Sequence, residues 1–140
     1  MKKAIYSVSL VLMALLCVLN VAACKQTTTG VWKDATYTED AELGEGTTTL
    51  VVEVKAEDKT VTFTIHTDKD VVGDALLEHG LIAGDEGEYG LYVKTVNGIL
   101  ADYDVDQTYW GFFIDGEYAM TGVDTTAITA GVTYTLERTK

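Results

Sequence analysis

The sequence predicts an α+β domain of two layers, a mostly antiparallel sheet carrying one short helix on one face, and three observations predict it. Several stretches alternate apolar and polar residues with the period of two that a half-buried strand needs. One stretch, Val72, Ala75, Leu76 and His79, repeats at i, i+3, i+4 and i+7 and gives a single short helix. Between the strands, Asn97-Gly98 and Asp115-Gly116 supply the residues that tight hairpin turns favour. One helix can cover only one face of the resulting sheet, which is the two-layer arrangement.

Taken in order, Lys2 and Lys3 precede an apolar run from Ala4 to about Val18, followed by small residues, which is the architecture of a secretory signal. Residues 1–23 are read as that signal. Val21-Ala22-Ala23-Cys24 resembles the lipobox of bacterial lipoproteins, in which the chain is cut before the cysteine and the thiol is lipidated. Acyl chains on Cys24 would hold the protein at the membrane from the extracytoplasmic side. Residues 24–46, rich in Thr, Glu and Gly, read as lipidated N-terminus and spacer, with Val31 to Tyr37 as a short docked edge strand. The domain itself is expected over residues 47–140.

Thr48, Leu50, Val52 and Val54 share one face, and after a turn through Ala56-Glu57-Asp58-Lys59 so do Val61, Phe63 and Ile65, giving a β-hairpin with one buried face. Asp68 or Asp70 is expected to cap the helix that follows, and Gly80 to close it, with Leu81-Ile82 making the accompanying apolar contact. Gly84 to Gly87 reads as an acidic loop, Tyr89 to Val96 as a strand, Ala101 to Thr108 as a second acidic loop. Tyr109 to Ile114 reads as a central strand that is apolar or aromatic on both faces, and Val132, Tyr134 and Leu136 mark the last one.

The chain of 140 residues has a net charge of −12, which becomes −14 once the signal with Lys2 and Lys3 is gone. So acidic a domain excludes nucleic acid as a partner and is repelled by anionic lipid, so the membrane anchor is covalent rather than electrostatic. Cys17 leaves with the signal and Cys24 carries lipid, so the mature domain holds no disulfide and rests on packing. The segment after Cys24 has no serine and a single arginine, Arg138, which removes Ser-His and Cys-His nucleophile arrangements. The expectation is a protein that is not an enzyme.

Four segments carry a family resemblance: Thr67 to Leu77, Tyr92-Val-Lys-Thr-Val-Asn-Gly98, Trp110-Gly-Phe-Phe-Ile-Asp-Gly-Glu117 and Ala130-Gly-Val-Thr-Tyr-Thr-Leu-Glu137. Together they resemble the DUF4430 domain, which is similar to the C-terminal β domain of transcobalamin and intrinsic factor. The resemblance runs from about Thr48 to Arg138 and implies a β-grasp-like fold with a surface that can close on a corrin ring. It departs from those carriers in lacking their helical barrel domain.

Two acidic or imidazole features bear on metal binding. Asp102-Tyr-Asp104-Val-Asp106 alternates carboxylates as a calcium loop does, but Gln107 stands where the loop needs glycine and Phe113 where it needs glutamate. His66 at a strand end and His79 near a helix C-terminus read as a solvated and a dipole-compensating histidine. No metal is assigned. The candidate ligand-binding residues are Trp110, Tyr109, Phe112, Tyr92, Tyr103 and Asn97, on neighbouring strands and the turn and loop between them. The expected function is binding of a small ligand, with cobalamin or another corrinoid as the candidate, for delivery to a transporter component. The alternative is a cell-surface interaction module for protein or glycan.

Overall fold

The computed structural model describes residues 28–140. Its frame is a nine-residue hairpin of β2 (Thr48–Ala56) and β3 (Lys59–Thr67). Every second residue is buried, with Leu50, Val52 and Val54 facing the same side as Val61, Phe63 and Ile65, as the alternation requires. Strand β9 (Thr133–Thr139) lies parallel to β2, and β7 (Tyr109–Ile114) lies antiparallel to β9. The edges are β8 (Glu117–Tyr118), beside β7, and β1 (Ala41–Gly44), parallel to β3. The order β1-β3-β2-β9-β7-β8 makes one mixed sheet of six strands. Pairing places Val61, Val54, Leu136 and Phe112 in one row across four strands, all on the buried face.

A second layer covers that face. It contains α1 (Val72–Glu78) and a three-stranded antiparallel sheet of β4 (Ile82–Gly87), β5 (Gly90–Val96) and β6 (Ile99–Leu100). Val72, Ala75, Leu76, Ile82, Val96 and Ile99 join the sheet residues in one apolar core. The α+β class and the two layers are therefore as expected, but the cover is a helix and a small sheet rather than a helix alone. Gly84 to Gly87, expected as a loop, is the outer half of β4 and pairs with Gly90 to Val93 beyond a bulge after Ala83. Its residues are exposed on both faces, so no alternation betrays it. The second expected loop also holds structure, the one-turn helix α2 (Tyr103–Asp106) capped by the Asp102 carboxylate.

The caps of α1 differ from expectation at one end only. Neither Asp68 nor Asp70 caps it; Val71 occupies that position without a side-chain bond, and the Val72 N–H donates instead to the Thr126 carbonyl at 2.9 Å. Asp68 turns the other way and accepts from the Thr47 N–H and hydroxyl. At the C-terminal end Gly80 takes φ +64°, the Leu81 N–H closes on the Leu76 carbonyl at 2.9 Å, and Leu81 is buried.

The N-terminal segment is packed more tightly than a spacer would be. Gly30–Asp34 forms a 3₁₀ turn, not the strand expected from Val31 to Tyr37, and the edge strand comes later as β1. Trp32 is buried, its Nε1 donates to the Ala56 carbonyl at 2.9 Å, and Lys59 lies over the ring. Tyr37 packs edge-on against Phe63 at 5.4 Å. On the other face of the six-stranded sheet Thr49, Thr62, Thr64 and Thr133 are half-buried or exposed, while Thr135 and Gly111 are buried. On β7 the aromatic residues of that face look after themselves: Phe113 packs over Gly111 and meets Tyr118 edge-on at 5.3 Å.

Candidate functional site

A cleft of about 240 Å³ opens where β5 of the small sheet passes β7 and β9 of the large one. Alternation along β7 sends Trp110 and Phe112 to the buried side, where each keeps only 8% of its surface exposed. The Trp110 Nε1–H donates to the Lys94 carbonyl on β5 at 3.1 Å, which ties the two sheets together beneath the cleft. Phe112 stacks on Tyr134 with the rings 13° from parallel. Leu136 and Val123 complete the apolar floor, and Leu91 and Val93 form the wall from β5. Tyr92, Tyr109 and Tyr118 bring phenol rims to the same opening, with Tyr92 and Tyr118 well exposed. Rings with an apolar body and a wet edge are suited to a ligand that is itself flat and partly polar.

Three charged residues, Lys94, Asp85 and Asp124, stand near the opening. Lys94 lies 6.0 Å from the centre of the Tyr92 ring but is held by Asp85 at 2.8 Å, and that hydrogen bond raises the lysine above its ordinary pKa. Nearer the start of β5 the Leu91 N–H donates to Oδ2 of Asp124 at 3.0 Å.

Of the six residues expected to bind, four meet here: Tyr92, Tyr109, Trp110 and Phe112. Two do not. Tyr103 stands exposed on α2, outside the lining of the cleft. Asn97 is fully buried and grips the backbone of Tyr37 with both ends of its amide, a bracing role away from the cleft. Sequence reasoning missed Tyr118, whose place follows from the Asp115-Gly116 turn that pairs it with Phe113. It also missed Asp124, for which no periodic signal exists. Cys24, the expected lipidation site, lies outside the described residues.

A larger cavity of about 500 Å³ sits at the opposite side of the sheet, beside β1 and the end of β3. It is lined by both histidines with Glu45, Asp68, Lys69 and Glu78 and is mainly polar, so it lacks the apolar walls that hold most small ligands. His66 meets Glu42 at 2.6 Å, and Nε2 of His79 is buried against Gly44 with no hydrogen-bond partner. Among the described residues no three His, Cys, Asp or Glu side chains are grouped to hold a metal ion. In the aspartate series, Asp102 caps α2, while Asp106 accepts from Thr108 and Arg138.

The two layers and the aromatic cleft define a small α+β domain. Residues 69–137 match the family described as a domain of unknown function, DUF4430, and over that stretch the chain is a DUF4430 domain, as the sequence resemblance implied. Among solved structures the fold is similar to a candidate metal-binding protein from Ruminococcus gnavus ATCC 29149, with a TM-score of 0.63 and 29% identity over 67% of this chain and 98% of that one. It is also similar to haptocorrin in complex with Cbi, with a TM-score of 0.51 and 19% identity over 66% of this chain and 25% of that one. No curated protein sequence matches.

Proposed function

We propose that this chain is an extracytoplasmic binding module, anchored to the membrane by lipid on Cys24, that takes a small planar ligand against the Tyr92, Tyr109, Trp110 and Phe112 cleft and delivers it to a transporter component. The observation that carries the reading is the meeting of those four aromatic residues, from both sheets, at one opening. A cleft of about 240 Å³ falls just below the roughly 300–1,000 Å³ of pockets that engulf a whole drug-sized ligand. It would therefore grip one edge or face of a larger ring system rather than enclose it. A corrinoid, cobalamin or a precursor, is the first candidate. Its support is the likeness in fold to haptocorrin, crystallised with Cbi, of which this domain matches a quarter. The role is binding without catalysis.

The test is a spectral titration of the full chain with cobalamin and with a precursor corrinoid. Saturable binding that Tyr92→Ala weakens supports the cleft and the ligand class together. A flat titration to high micromolar corrinoid rules the corrinoid out and moves the reading to a surface interaction module using the uncovered, threonine-rich sheet face.

A further inference from the structure

Among the described residues one carboxylate oxygen is buried without a partner, and its residue lies directly behind the lining of the aromatic cleft. Oδ1 of Asp124 is shielded from solvent and makes no hydrogen bond. Its neighbour Oδ2 is fixed by the Leu91 N–H at 3.0 Å, so the carboxylate cannot swing out without breaking that bond. Both flanks of the group belong to the cleft: Leu91 on one side, Gly122 and Val123 on the other. At Gly122 a Cβ would stand 2.8 Å from Oδ1, so the wall is thin there because the residue carries no side chain. Asp124 forms no ion pair among the described residues, and Lys94, the cation at the rim, is already held by Asp85 at 2.8 Å.

A carboxylate oxygen withdrawn from water and left unpaired costs free energy, and retention of such a group calls for a partner that arrives from outside. Aromatic faces beside it favour the same kind of partner, because the negative face of a π system attracts a cation. The net charge of −12 adds a long-range field of the same sign.

We infer that the cleft selects ligands with a cationic N–H donor, an ammonium or amidinium group on a flat apolar body, and that Asp124 is the residue that receives the donor. The body lies on Trp110 and Phe112 while the charged nitrogen reaches past Gly122 to Oδ1. This rests on the cleft being the binding site, and it is independent of the ligand being a corrinoid.

The experiment compares naphthylmethylammonium with naphthylmethanol, which has the same ring body without the charge, on the full chain. Binding is read from the indole N–H signal of Trp110 in nitrogen-resolved spectra, where the chain's two tryptophans give only two such signals. The ammonium compound is expected to bind about tenfold more tightly or better, the effect of one hydrogen bond to a charged group. Asp124→Asn, which keeps an acceptor for the Leu91 N–H, should reduce that preference to about twofold or less. Equal binding of the two probes overturns the inference and leaves the cleft as a site for neutral rings. A preference that persists in Asp124→Asn also overturns it, because the general acidic field would then be the cause. If neither probe moves the Trp110 signal, the inference and the cleft reading fall together. The comparison on unaltered protein stands even where the variant folds poorly.

Discussion

The side-chain amide of Asn97 pairs with the backbone of Tyr37 across 60 residues, accepting from its N–H at 2.9 Å and donating to its carbonyl at 2.8 Å. The Asn97 carbonyl also takes the Thr36 N–H at 2.9 Å, so three bonds fasten the N-terminal segment to the β5–β6 turn. Asn97 is fully buried and sits at φ +51°, a left-handed conformation that asparagine tolerates better than most residues. Asn97→Ala would leave part-buried backbone groups of Tyr37 unpaired and strain the turn. The expected loss is about 2 kcal/mol in unfolding free energy, from two part-buried groups left unsatisfied, measured by urea denaturation. Asn97→Asp keeps the acceptor, loses the donor and buries a charge, so it should be destabilised as well.

Trp110 and Tyr92 share one cleft but carry different loads. Trp110 is buried and bonded to the Lys94 carbonyl, so Trp110→Ala should cost about 3–5 kcal/mol of stability, the range for removing a buried aromatic, and its binding effect would be entangled with that loss. Tyr92 has 47% of its surface exposed. Tyr92→Ala should therefore change stability by about 0.5 kcal/mol or less while weakening a bound ring by about 1–2 kcal/mol, as a rim contact to a stacked ligand would. The two variants, each measured by thermal melting and by ligand titration, separate core from site. A Tyr92→Ala protein that binds as well as the parent would remove Tyr92 from the site.

How much of this was legible in the sequence follows from what each residue faces. The β2–β3 hairpin and the helix were readable because each buries one periodic stripe, and β7 because it is apolar or aromatic on both faces. The outer part of β4 was not, because Gly84, Asp85 and Glu86 are exposed on both sides and offer no apolar alternation. The cleft was readable in four of its aromatic members, since they cluster on two predicted strands. Asn97 was misplaced for a definite reason: Asn-Gly announces the turn, but nothing local reveals that its amide faces a segment 60 residues away. Asp124 had no signal at all, because its position depends on a loop whose path is set by the bonds of Thr126 and Leu91 to other parts of the fold.

Two glycines separate backbone strain from steric exclusion. Gly116 completes the Asp115-Gly116 turn at φ +83°, and a Cβ there would meet nothing within 4 Å. Gly116→Ala should cost about 1 kcal/mol, the conformational penalty of a left-handed position alone. Gly46 has no such φ, but a Cβ there would collide with the backbone of Thr67 and Asp68. Gly46→Ala must push β1 and its loop away from the end of β3, and the expected cost is about 2–4 kcal/mol, as for other substitutions that force backbone apart. Chemical denaturation of both variants checks the order. A Gly46→Ala protein as stable as Gly116→Ala would show that the loop moves freely.

Acid sensitivity should trace to two aspartates that the fold holds ionised. Asp106 is lowered below its ordinary value of 3.8 mainly by the hydroxyl and N–H of Thr108, with Arg138 at 2.8 Å adding to the effect. Asp68 is lowered likewise by the N–H and hydroxyl of Thr47. A carboxylate whose folded pKa is depressed contributes stability that is complete above its unfolded value and disappears as the pH falls through the folded one. The melting temperature should therefore hold level down to about pH 5 from these two groups and decline below pH 4, once protons begin to displace the threonine donors. The double variant Asp68→Asn and Asp106→Asn should melt lower than the parent at neutral pH and lose less on acidification. Parallel melting curves for the two proteins between pH 5 and pH 2 would place the acid-labile bonds elsewhere in the fold.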